Sequence, residues 1–126
     1  MAGSFKELRV WQNAMELAMR VFELSKRFPA EERYSLTDQI RRSTRSIAAN
    51  IAEAWRKRRY PAAFASKLND SEAETAESQV WVEFAVRCGY WTRHVAAELD
   101  QRCEQILAQL NLLIEDADRW CSRRDE

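Results

Sequence analysis

The sequence predicts an all-α protein: one antiparallel up-down-up-down four-helix bundle, a single domain over residues 1–126. Three observations predict it. Four long stretches carry apolar residues at the helical period of about 3.6, and none sustains the two-residue alternation of a strand. Only two glycines and two prolines punctuate the chain, too few for the turns that a sheet needs. The links between stretches are short, as antiparallel neighbours require. Hydrophobic residues make up 46% and charged residues 32%, a globular rather than a disordered composition, and the length suits one core.

The expected helices cover about 5–27, 36–59, 61–88 and 93–120. Met1 to Ser4 reads as an unstructured start and the charged tail from Ser122 as frayed. In the first helix Trp11, Met15, Ala18, Phe22 and Ser25 line the expected core face, with Ala14 and Val21 beside them and Val10 and Leu17 off to the other side. Phe28-Pro29 ends it, because the residue before proline avoids the helical region. Ser35 is the candidate N-cap of the second helix, with Asp38 as a shortened capping box. Its apolar stripe is Leu36, Ile40, Ile47, Ile51 and Ala54, with Ser43 at the centre. Pro61 suits the first turn of the third helix and Gly89 its termination. The third stripe, Phe64, Leu68, Ser71, Thr75, Ser78, Val82 and Val86, is small and weakly polar in the middle. Matched against Ser43, that predicts close helix approach with hydroxyls bonded to backbone carbonyls. Thr92 caps the fourth helix, whose stripe is Val95, Leu99, Ile106, Leu110, Leu113 and Ala117, with Cys103 and Trp120 at the edges.

Charge is balanced overall, 20 basic against 20 acidic residues, so only its distribution carries information. In the second helical stretch seven basic residues (Arg41, Arg42, Arg45, Arg56, Lys57, Arg58 and Arg59) face two acids, Asp38 and Glu53. Each acid can pair at i+3 or i+4 on a solvated helix, yet a basic excess remains. Arg41, Arg45, Arg56 and Arg59 fall roughly opposite the apolar stripe. An arginine row of this kind suits phosphate contact, and Trp55 and Tyr60 beside it are candidates for base stacking, Trp55 equally for the edge of the core. The third helix is acidic (Asp70, Glu72, Glu74, Glu77, Glu83) and carries a second apolar surface at Val80, Trp81 and Phe84, expected as an oligomer interface.

Motifs for catalysis are absent: no Gly-rich phosphate loop, no nucleophile elbow and no HExxH. His94 is the sole histidine and is expected at the surface, and no ExxH accompanies it as a di-iron bundle would need. Glu74 and Glu77 form an i,i+3 pair expected to serve solubility or basic partners. Cys88, Cys103 and Cys121 are odd in number and widely spaced, against both a disulfide framework and a zinc site. With no long apolar run and no signal-like start, a cytoplasmic protein without a membrane segment is expected.

The chain resembles, over nearly its whole length, the four-helix bundle family named after proteins encoded in intervening sequences of bacterial 23S ribosomal RNA genes. Phe5, Leu8, Val10-Trp11-Gln12, Ala14 and Leu17 match its first helix. Phe28-Pro29, Glu32, Tyr34, Leu36, Gln39, Arg41-Arg42, Ser46-Ile47 and Asn50-Ile51-Ala52-Glu53 match its most specific stretch, and Phe64, Leu68, Glu77, Ala85 and Gly89-Tyr90 follow. Two departures are Ala54, where the family usually has glycine, and Ala73-Glu74, where a Gly-Ser step is common. The resemblance implies a homopentameric ring, no catalytic activity and no cofactor. It also implies a relation to accessory proteins of diversity-generating retroelements, which are similar to basic barrels contacting nucleic acid and a reverse transcriptase.

The expected function is therefore that of a non-catalytic, oligomeric accessory protein that binds RNA or DNA with weak specificity through Arg41, Arg42, Arg45, Arg56, Lys57 and Arg59, with a nucleic-acid enzyme as a further partner. The alternative is a protein-only scaffold, in which Glu72, Glu74 or Glu77 of another subunit covers the arginines. A third class, an enzyme without recognisable motifs, has no residues to carry it.

Overall fold

Residues 3–122 are described in a computed structural model. Among them are five α-helices, α1 (Arg9–Ser25), α2 (Leu36–Arg56), α3 (Pro61–Arg87), α4 (Arg93–Glu115) and the short α5 (Ala117–Ser122), and no strand. The four long helices run antiparallel, up and down. α1 and α3 each pack against both α2 and α4, so the four enclose one core. Ile40, Ile47, Ile51, Phe64, Leu68, Leu99, Ile106 and Leu110 are its fully buried centre. The expected start at Met1 and Ala2 and the tail beyond Ser122 lie outside the described residues.

Several expectations hold for identifiable reasons. Pro61 occupies the first turn of α3, where its missing N–H is not needed. Gly89 closes α3 at φ 81°, a left-handed conformation that glycine adopts without a Cβ penalty. There its N–H donates to Val86 O and the Tyr90 N–H donates to Ala85 O, both at 2.9 Å. Thr92 Oγ1 accepts from the Val95 N–H at 3.2 Å and caps α4.

The core face of α1 is rotated from the expected one. Val10, Ala14, Leu17 and Val21 are buried, whereas Met15 is 38% exposed. Trp11 and Phe22 are only partly buried: Trp11 packs edge-on against Phe5, with centroids 5.3 Å apart, and Phe22 lies beneath Arg41. Their bulk drew the expected face to the wrong side. Ser4, expected in an unstructured start, instead accepts from the Lys6 N–H at 3.2 Å, while Glu7 Oε2 accepts from the Ser4 N–H at 2.9 Å. This capping box opens a 3₁₀ turn over Phe5–Glu7, and α1 begins only at Arg9.

α2 is not capped by the Ser35 side chain. Ser35 Oγ donates to Glu32 Oε1 at 2.6 Å, and that oxygen accepts from the Leu36 N–H at 3.2 Å. The second Glu32 oxygen accepts from Tyr90 Oη at 2.7 Å. One carboxylate thus joins the turn before α2 to the turn after α3. α2 ends at Arg56, and the fourth helix breaks at Asp116 before α5. Cys103 is core rather than edge, fully buried, and burial pushes its thiol up to about 12.

Between α2 and α3 the buried side chains are small. Ser43 Oγ and Ser78 Oγ share a hydrogen bond at 2.8 Å, and Ser71 Oγ donates across the interface to Ile47 O at 2.9 Å. Thr75 Oγ1 and Ser78 Oγ donate to carbonyls one turn earlier in their own helix, at 2.7 and 2.9 Å. Every buried hydroxyl in this seam is satisfied, which is what makes it tolerable in a core.

Candidate nucleic-acid interface

α2 presents its basic residues to two separate places. Arg41, Arg42 and Arg45 line an open groove of about 490 Å³ together with Arg33, Thr37, Asp38, Ser46 and Ala49. Arg56 and Lys57 are exposed at the far end of the helix. Arg45 and Arg56 are roughly 16 Å apart along the axis at about 1.5 Å per residue. Arg59 lies beyond the end of α2, so it is not part of a helical row.

Within the groove the arginines differ. Arg41 is half-buried against α1, with Nε donating to Ser25 Oγ at 2.8 Å, Nη2 donating to Phe22 O at 3.4 Å and the guanidinium 4.7 Å from the Phe22 ring centroid. These contacts place a cation at the C-terminal turn of α1, where the helix dipole favours it. All its acceptors are neutral, so its charge is not cancelled. Arg45 is exposed, 6.0 Å from the same ring. Among the described residues Arg42 is the groove arginine with an ion pair: its Nη2 donates to Glu77 Oε2 of α3 at 2.9 Å and to Gln39 Oε1 at 3.1 Å. Among the described residues no carboxylate pairs with Arg33, Arg41 or Arg45, although Asp38 lines the same groove.

The expected pairs along α2 are replaced by pairs between helices. Asp38 bridges neither Arg41 nor Arg42, and Glu53 accepts from Lys67 of α3 at 3.0 Å rather than from Arg56 or Lys57. Trp55 is not available to a base. It is 5% exposed, packed against Trp120 with centroids 5.9 Å apart, and capped by the Arg58 guanidinium at 3.5 Å. Tyr60 is exposed. Arg33, Thr37 and Ser46 escaped sequence reading, although Arg33, Thr37, Arg41 and Arg45 recur every fourth residue, a signal hidden because Arg33 precedes the helix.

The surface expected as an oligomer interface is open. Val80 and Phe84 are each about half exposed, and Trp81 is partly buried with its ring 5.8 Å from Phe84. Trp81 Nε1 donates to Glu77 Oε2 at 3.1 Å. Nearby, Glu74 Oε1 is buried without a hydrogen-bond partner among the described residues, and burial, with Glu77 adding to it, raises its carboxyl above the usual range. His94 is exposed, as expected. Among the described residues no group of His, Cys, Asp and Glu could hold a metal ion, and no helix is long and apolar enough to cross a membrane.

A family profile described as 23S rRNA-intervening sequence protein matches residues 6–112. The chain is similar to a protein of unknown function from the S23 ribosomal protein family of Bacteroides thetaiotaomicron, known by its crystal structure. Identity is 32%, the match covers 84% of this chain and 95% of that one, and the TM-score is 0.75. No curated protein matches the chain. Neither match bears on a relation to retroelement accessory proteins.

Proposed function

Because the chain belongs to the 23S rRNA-intervening sequence protein family, we propose that it is a non-catalytic, self-assembling bundle that holds the phosphate backbone of a nucleic acid in the α2 groove. One observation carries the reading: Arg33, Arg41 and Arg45 converge on an open groove, and no carboxylate among the described residues pairs with them. Three uncancelled guanidiniums, with Thr37 and Ser46 hydroxyls beside them, are donors suited to phosphate oxygens. Such contacts position a backbone without reading bases, so specificity is weak. The ring of five and a nucleic-acid enzyme as partner are what the family resemblance implies, and they belong to the proposal on that ground alone.

The test is a titration of labelled duplex and single-stranded RNA and DNA at several salt concentrations. Affinity should fall with a log–log slope of about −0.9 per duplex phosphate neutralised, or about −0.7 for single strands. Arg33→Gln with Arg45→Gln should weaken binding similarly for all sequences and flatten the slope. No binding by the unmodified protein at low salt rejects the reading.

The protein-only scaffold is the second reading, and the Arg42–Glu77 pair favours it, because an α3 acid already satisfies one groove arginine. On that reading, acids of another copy cover Arg45, and Arg45→Gln dissociates the assembly instead of weakening nucleic-acid binding.

A further inference from the structure

We propose that Glu77 is a tethered competitor for the groove, an internal carboxylate that occupies Arg42 until a chain of phosphates displaces it. The inference rests on the phosphate-binding reading above. Arg42 lines the groove, yet its guanidinium is turned to α3 by Glu77 at 2.9 Å, with Gln39 at 3.1 Å steadying it. The pair is half exposed on the arginine side, so solvent screens it and exchange for another anion is cheap. Within α2 alone the groove runs from Thr37 to Arg45, roughly 12 Å at about 1.5 Å per residue, with Arg33 beyond that end, farther than one phosphate reaches. A strand carrying several phosphates therefore gains a hold on Arg33, Arg41 and Arg45 before it contests Arg42. A single small anion has no such hold, so Glu77 sets a threshold that favours polyanions.

Displacement has a built-in reporter. The Glu77 oxygen that accepts from Arg42 also accepts from Trp81 Nε1 at 3.1 Å. Removing Arg42 leaves that carboxylate with the indole and beside Glu74, whose buried Oε1 has no partner among the described residues. The Trp81 emission should therefore change when the groove fills.

The experiment compares unmodified protein, Glu77→Gln, Arg42→Gln and the double variant for binding of a single-stranded RNA and of inorganic triphosphate. Glutamine keeps an acceptor for Trp81 and removes the charge that holds Arg42. Glu77→Gln should bind about two- to five-fold tighter, the range set by the strength of an exposed ion pair. Arg42→Gln in the Glu77→Gln background should cancel that gain. Equal or weaker binding by Glu77→Gln, with RNA still bound by the unmodified protein, overturns the competitor and leaves the phosphate reading standing. Binding of triphosphate but not RNA rejects the nucleic acid and overturns the threshold as well, because a small anion then displaces Glu77 without the hold of a longer strand. No binding of either probe to any variant rejects both. Should Glu77→Gln fail to fold, the ligand-induced emission change of unmodified protein decides: its loss in Trp81→Phe supports displacement, and its persistence there overturns it.

Discussion

Replacing Ser78 tests the packing argument for the α2–α3 seam. Its hydroxyl bonds Ser43 at 2.8 Å and Glu74 O at 2.9 Å, and the residue is 1% exposed. Ser78→Ala removes the bridge, yet Ser43 can turn back to Ile40 O at 3.4 Å, so little is left unsatisfied. A net hydrogen bond contributes about 0.5–1.5 kcal/mol, and the better helix propensity of alanine offsets roughly 0.4 of that. The expected loss is below about 1 kcal/mol. Ser78→Val is different: it adds bulk where two helix backbones approach, and overpacking costs about 1–3 kcal/mol. Ser43→Ala with Ser78→Ala removes both partners together and should cost less than the sum of the single changes, because each single change already loses the one bond they share. Urea unfolding followed by far-UV circular dichroism, at one fixed protein concentration so that the proposed self-association could not shift apparent stability between variants, gives all four values. A Ser78→Val protein as stable as the original, or strict additivity in the serine pair, refutes the close, bridged seam.

Four further outcomes follow. Hydrogen bonds from Ser35, then Tyr90, then the Leu36 N–H hold the Glu32 carboxyl below its ordinary 4.5, so its stabilisation is present above that value and fades as pH falls through the lower folded one. The stability gap between unmodified protein and Glu32→Gln should therefore narrow in acid; a gap that widens contradicts the assignment. In an ultraviolet titration one of the three tyrosines should ionise late, because the Glu32 carboxylate pushes Tyr90 up to about 12. Cys88 is exposed and should react fast with a thiol reagent, whereas Cys103, buried with its thiol near 12, should react only on unfolding; rapid loss of both thiols contradicts that burial. If the proposed assembly forms through this surface, Phe84→Asp should release smaller species from it, since a carboxylate in an apolar contact is unfavourable; light scattering that shows unmodified protein as a monomer rejects the interface.

The sequence by itself determined what depends on one segment. The four long helices, the Pro61 start, the Gly89 stop, the Thr92 cap and the small, hydroxyl-bearing middle of the third stripe all follow from period and from local backbone chemistry, which act within a few residues. The tertiary structure decided whatever depends on how helices rotate and register against each other. α1 turns Leu17 inward and Met15 outward because burial is settled jointly with α2 and α4, not by the largest side chains in the stripe. Arg42 bonds Glu77 and Glu53 bonds Lys67 because an adjacent helix brought an opposite charge within about 3 Å, where the pairs legible along α2 are only alternatives. Trp55 became core, and Glu32 became the cap of α2, through partners far along the chain at Trp120 and Tyr90. The basic excess of α2 was written in the sequence; that Arg33, Arg41 and Arg45 share one groove without a counter-charge among the described residues was decided only by the fold.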